Sequence, residues 1–257
     1  MSEIRVAIDG AVAAVTLSNP GKLNAIDLSM WRTLADVFAA LDADDALRCV
    51  IVTGADGNFA AGADIDEFAS VRSNFAQGYA YHTKDIASAL AAIAACRHPL
   101  VAAIDGVCVG GGLEIACACD LRIAGPGSRF GIPINRLGFP LAPGELQGLL
   151  QLVGKAVALE ILLEGRVFGA AEAKEKGLLH RIADDPLAEA GHAAQRIACG
   201  APLAARMNKQ LVRRLSVQPP ALTEEELRAA FAFLDSDDYR EGVRAFIEKR
   251  QPDFKGR

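Results

Sequence analysis

Apolar residues alternate at the start of the chain: Ile4, Val6 and Ile8, a turn at Gly10, then Ala14, Val15 and Leu17. A period of two predicts a strand, a tight turn and a second strand. Asn19-Pro20-Gly21 closes this hairpin with turn chemistry. The period then changes. Met30, Leu34, Val37, Phe38 and Leu41 follow helical spacing, with Ser29 placed to cap the helix. The apolar run Val50-Ile51-Val52, closed by Gly54, predicts a short buried strand. A helix near Tyr79 to Cys96 follows, stopped by Pro99. Strands are expected at Leu100–Ile104 and Leu121–Ala124, and a helix at Leu113–Cys119. This succession points to an α/β architecture. Beyond about Leu187 the strand pattern ends, and segments 187–199, 202–215, 223–234 and 238–249 are expected to be helical. Gly200-Ala201-Pro202, Pro219-Pro220 and Ser236-Asp237 separate them. We expect a core at 1–195 and a helical tail at 196–257, with the tail packing against another subunit.

Composition narrows the class. Of 257 residues, 51% are hydrophobic and 23% charged, enough to bury a full core. The net charge of −5 disfavours a nucleic-acid surface, although a local basic pocket for a phosphorylated ligand remains open. The six cysteines lack zinc spacing and the four histidines are scattered singly, so no metal site is expected. Buried free thiols in a reducing compartment are the expectation. The first nine residues carry no apolar signal region, and the apolar run Ala89–Cys96 is too short to span a bilayer. A cytoplasmic protein without membrane partners is expected.

Two turns are candidates for chemistry. In Phe59-Ala60-Ala61-Gly62-Ala63-Asp64-Ile65, small residues leave the main chain open to a ligand, or simply fit a tight loop. In Val109-Gly110-Gly111-Gly112-Leu113-Glu114, glycines lead into a helix whose free N–H groups suit a developing anion. Alternatively, that connection only needs positive φ. The spacing matches no nucleotide-binding fingerprint. Glu114 lies in an apolar stretch, where a desolvated carboxyl would have a raised pKa. It is either a proton-transfer group or a structural residue with a buried partner. Asp64 and Asp66 suit a helix start, and His98, before Pro99, suits a cap or surface position.

Several segments taken in order carry a resemblance: Lys22-Leu23-Asn24-Ala25-Ile26, Ala61-Gly62-Ala63-Asp64-Ile65, Gly106 through Glu114, Phe130-Gly131-x-Pro133, and a tail running from Glu241-Gly242 through Lys249-Arg250 to Phe254-x-Gly256. Over essentially its whole length the chain resembles the enoyl-CoA hydratase/isomerase (crotonase) family. The resemblance implies a spiral of strand-strand-helix repeats with a C-terminal helical region that builds trimers or dimers of trimers. It implies a coenzyme A thioester as substrate, in fatty acid metabolism, with no separate cofactor. The N–H groups of Ala63 and Gly111 would form an oxyanion hole. Lys22, Leu23, Ala25, Ala61, Asp64, Ile65 and Lys249 make up the implied CoA-binding set, with the Ala61 carbonyl meeting the adenine amino group.

One departure matters. Hydratases of this family use two glutamates; Glu114 stands at the first position, but the second is Ile134, which cannot transfer a proton. Glu145 and Asn135 are the nearest polar helpers, although Glu145, after Pro143-Gly144, is better read as an exposed charge at a helix N-terminus. Hydration is the nominal activity because the pattern over the whole chain resembles the hydratases. One base shuttling a proton between two carbons would instead give double-bond isomerisation. Hydrolysis or decarboxylation, or a silent CoA-thioester binding protein, remain further readings. An RNA-binding role is disfavoured by the acidic balance.

Overall fold

The computed structural model describes residues 1–216 and 222–255. Pro219-Pro220 and Gly256, named above, lie outside the described residues. β1 (Glu3–Asp9) and β2 (Val12–Ser18) form the expected antiparallel hairpin, with Gly10 at φ +56° in the turn. Helix α1 (Leu28–Ala43) follows. Asp27, not Ser29, caps it, its carboxylate accepting from the Met30 N–H at 2.7 Å. β3 (Cys49–Gly54) adds parallel to β2, and its first four residues are buried, as a strand covered on both faces requires.

A 3-10 turn at Ile65–Glu67 leads into α2 (Phe68–Val71) and α3 (Phe75–Ala80). The chain then continues through a π-helical turn at Tyr81–Ile86 into α4 (Ala87–Ala95). β4 (Leu100–Ile104), β5 (Val107–Val109), α5 (Gly111–Ala118), β6 (Leu121–Ala124) and β7 (Arg129–Gly131) come next. After a 3-10 turn at Pro133–Leu137, the long α6 (Pro143–Glu164) is broken at Gly154, whose φ of +70° is non-helical. β8 (Phe168–Gly169), α7 (Ala170–Glu175) and β9 (Arg181–Ile182) complete the sheets. Helices α8 (Pro186–Ala198), α9 (Pro202–Leu215), α10 (Glu224–Phe231) and α11 (Asp237–Ile247) close the chain.

One sheet runs β1-β2-β3-β4-β6-β9 and a smaller one β5-β7-β8. Alternation along the strands separates two cores. Val50, Val52, Leu100 and Ala102 pack with Trp31, Leu34, Phe38 and Ile93 of α1 and α4. Cys49, Ile51, Val101 and Ala103 face the alanines of α8. The result is an α/β architecture of two sheets with helices between and around their strands.

The tail returns to the core of its own chain. Lys209 on α9 donates to the His98 carbonyl and the Asp120 carboxylate, and this covering buries His98 instead of leaving it at the surface. Five cysteines are buried as expected; Cys199, at the end of α8, is exposed. Among the buried thiols, burial pushes Cys117 up to about 12.

Candidate active site

Backbone pairing brings the two glycine-containing turns together. Ala60 bridges Cys108 of β5: the Ala60 N–H donates to the Val107 carbonyl and the Val109 N–H to the Ala60 carbonyl. Ala63 in turn bridges Ile26 in parallel, the Ile26 N–H donating to Gly62 O and the Asp64 N–H to Ile26 O. In such a bridge Ala63's own N–H points away from Ile26, and Ala63 lines the cavity. Gly111 begins α5, so its N–H has no intrahelical acceptor. A Cβ built on Gly111 would sit 3.5 Å from the Ala63 nitrogen, and one built on Gly62 3.6 Å from the Gly111 nitrogen. The two amide nitrogens thus lie near one another where α5 begins, at the positive end of a helix, an environment that suits an oxygen gaining negative charge. Gly62 at φ +102° and Gly110 at φ +50° supply backbone that a side chain would strain.

The segment before α1 is bound to the first of these turns. Leu23 O accepts from the Ala61 N–H at 2.9 Å, and Lys22 Nζ pairs with Asp64 at 2.7 Å and Asp66 at 2.8 Å. These carboxylates raise the Lys22 pKa. Leu23 and Asn24 both adopt positive φ. Asn24 holds that conformation through three side-chain hydrogen bonds, to Asn19 N, Ala55 O and Asn58 O. Lys22, Leu23, Ala25, Ala61 and Asp64 are therefore tied together, with Ala25 and Asp64 buried, and Ile65 follows in the 3-10 turn. Lys249 stands apart, exposed and at φ +53°, three residues past Phe246 at the cavity rim.

The cavity beside the amide pair has a volume of about 360 Å³ and a mostly apolar wall drawn from 61–86 and 109–145, with Trp31 and Phe246. Glu114 lies in it, on the first turn of α5. Two effects oppose each other there. The helix dipole favours the carboxylate by about 1 kcal/mol at most sites, under one pKa unit. Burial disfavours it by up to several units, and it wins: desolvation first, then the charge of Glu145, hold the Glu114 pKa well above the usual carboxylate range.

Ile134 is buried in the same wall, an aliphatic group where a second carboxylate is missing. Glu145 corrects the expectation of an exposed charge. It is buried at the start of α6 and lines the cavity with Glu114, because the buried, extended Leu141–Ala142 segment delivers this helix N-terminus inward. Asn135 is also corrected as a helper. The 3-10 turn that points Ile134 inward directs Asn135 out, where its Nδ2 donates to Leu163 O. One group escaped the sequence reading altogether. His82, from the π-helical turn, is buried in the wall with Nδ1 2.5 Å from Glu145 Oε1. The only linear signal was a histidine beside a tyrosine in an apolar helix.

The family model for enoyl-CoA hydratase/isomerase matches residues 7–257. A probable enoyl-CoA hydratase of Mycobacterium tuberculosis is 39% identical, over 99% of this chain and 98% of its own. The 2,3-dehydroadipyl-CoA hydratase of Escherichia coli is 33% identical over the full length of both. Among solved structures, an enoyl-CoA hydratase/carnitine racemase from Magnetospirillum magneticum superposes with TM-score 0.82 at 45% identity, covering 100% of this chain and 97% of that one. A methylmalonyl-CoA decarboxylase superposes with TM-score 0.87 at 25% identity, covering 99% and 98%. With the paired amides, the enclosed glutamate and matches along its entire length, the chain belongs to the enoyl-CoA hydratase/isomerase (crotonase) family of acyl-CoA enzymes.

Proposed function

We propose that the protein hydrates an α,β-unsaturated acyl-CoA, with Ala63 and Gly111 N–H groups stabilising the thioester enolate and Glu114 exchanging a proton with the substrate. The observation that carries this reading is the second buried carboxylate: Glu145 shares the cavity with Glu114, so the loss of a glutamate at Ile134 does not leave the site with a single acid–base group. Two N–H donors aimed at a developing oxyanion contribute about 3–4 kcal/mol each in comparable sites. A buried neutral carboxyl is suited to hand a proton to carbon. The CoA portion lies along the Lys22–Ala25 and Ala61–Ile65 surface in this reading, with the Ala61 carbonyl toward adenine and Lys249 able to meet a phosphate. We place the protein in the cytoplasm, which the free thiols support. No cofactor beyond the substrate's own CoA enters the reading.

The competing reading is isomerisation of a 3-enoyl-CoA, in which one carboxylate moves a proton between carbons. Thioester absorbance distinguishes the two. Wild-type protein should remove the conjugation of crotonyl-CoA and leave a 3-enoyl-CoA unconjugated, and Glu114→Gln should lower the hydration kcat by at least a hundredfold. Gain of conjugation from the 3-enoyl substrate alone would establish the isomerase. Tight CoA-thioester binding with no turnover would mark a silent binding protein.

A further inference from the structure

Resting on hydration as the reaction, we propose that His82 is a positioning residue that holds Glu145 as the base for the attacking water, leaving Glu114 as the acid for the α-carbon. The geometry begins with the π-helical turn at Tyr81–Ile86. Two successive side chains of this turn, Tyr81 and His82, both line the cavity and are buried. Such π turns recur at functional sites. His82 Nδ1 then lies 2.5 Å from Glu145 Oε1, and both residues are nearly inaccessible, at 5% and 6% exposure. The Phe231 ring, 5.5 Å away, and Tyr81, at 5.3 Å, confine the imidazole. Its Nε2 has no hydrogen-bond partner among the described residues.

A purely structural account would make Glu145 a helix cap. That cap uses the other oxygen, Oε2, and its contact to the Ala142 N–H is long, at 3.4 Å. The stronger bond is the one to His82, and α6 would not need it to start. A carboxylate fixed by an imidazole through one oxygen has a defined direction for the other, which is what a water-activating base requires. The titratable groups around the pair are Glu114 from α5 and Tyr81 from the same turn as His82.

The proton balance closes. Glu145 takes a proton from water as the water oxygen bonds to C3. The C2=C3 electron pair moves to give the enolate, whose oxygen sits between the Ala63 and Gly111 amides. The enolate reforms the thioester as C2 takes the proton of the Glu114 carboxyl. Glu114 ends ionised and Glu145 protonated, and one proton exchange between them through solvent restores the site.

The test pairs two reactions in one protein: hydration of crotonyl-CoA, and exchange of the α-proton of butyryl-CoA in D₂O, which needs Glu114 and the amide pair but no activated water. His82→Leu should lower the hydration kcat roughly a hundredfold, with KM changed less than threefold and α-proton exchange within threefold of wild type. Glu145→Gln should lower the hydration kcat at least as far, and the double variant should hydrate no more slowly than the slower single variant. His82→Asn, whose amide donates from the position of Nδ1, should recover at least tenfold of the loss and guards against a folding artefact. Parallel loss of exchange and hydration in His82→Leu would reduce His82 to a structural role, and undiminished hydration in that variant would also overturn the proposal. If wild type hydrates no enoyl-CoA, the hydratase reading itself fails and the inference with it; if wild type hydrates and His82→Leu gives either of the two overturning outcomes, the role of His82 alone is rejected.

Discussion

Glu114 burdens the fold that contains it. Folding moves its carboxyl from the ordinary range to well above it, so above about pH 4.3 the unfolded chain releases a proton that the folded chain retains. The folded state binds more protons, and stability contributed at this position falls as pH rises through the window between the two pKa values. Glu114→Gln removes the effect. Its melting temperature should match wild type near pH 4 and exceed it by a few degrees at pH 8, since 1 kcal/mol is roughly 2–4 °C for chains near this size. A difference independent of pH, measured by thermal denaturation across that range, would contradict the burial argument. The residue was legible as a candidate from its apolar neighbours Leu113, Ile115 and Ala116. Glu145 was not, because Pro143-Gly144-Glu145 is also what an exposed helix start looks like. Whether that start faces solvent or a cavity depends on the path of the extended segment before it.

At the scale of elements, the oxyanion turns depend on how closely β5–α5 approaches the 59–63 segment. A Cβ on Gly112 would lie 2.3 Å from the Ala60 carbonyl oxygen, against main chain that cannot move without breaking the Ala60–Val107 and Val109–Ala60 hydrogen bonds. Gly112→Ala should therefore cost about 1–3 kcal/mol in chemical denaturation and lower turnover by separating the two amides. Unchanged stability and rate would show the contact to be slack. The helix expected near Tyr79 to Cys96 is present, continuing from the end of α3 through the π-helical turn into α4, but its π-helical portion was not legible. One extra residue per turn leaves hydropathy periodicity nearly unchanged over six residues. Asp27 replaced Ser29 as the cap for a similarly local reason: both are good caps, and the bridge at Ile26 decides where the helix begins.

The whole molecule leaves an apolar surface uncovered. Along α9, Leu203, Met207, Leu211 and Leu215 recur every four residues and are exposed, Leu203 at 76% and Leu215 at 79%. Leu159 and Leu163 of α6 are exposed as well. Stripes of this kind mark contact surfaces, and we propose that further copies of the chain cover them in a trimer or dimer of trimers. Light scattering should give a mass that is a multiple of three times 27.0 kDa. The double change Leu203→Glu and Leu211→Glu should shift it toward 27.0 kDa, and a monomeric wild type would refute the assembly. The proposed division into a core to 195 and an assembling tail beyond it rests on the same experiment. Within one chain the tail also closes the site, since Phe233 and Tyr239 pack on Phe139 in the cavity wall and Phe246 reaches its rim.

Linear order was enough for the family, the strand and helix succession, and the two bare turns, because small residues and glycines at set spacings constrain the backbone locally. It was also enough to show that Ile134 breaks the usual glutamate pair. Only the folded chain decided what replaces that glutamate. Glu145 and His82 are 63 residues apart and meet because α6 enters the cavity N-terminus first while the π-helical turn directs His82 toward it. No local propensity encodes that meeting, since it depends on how distant elements pack around a shared cavity.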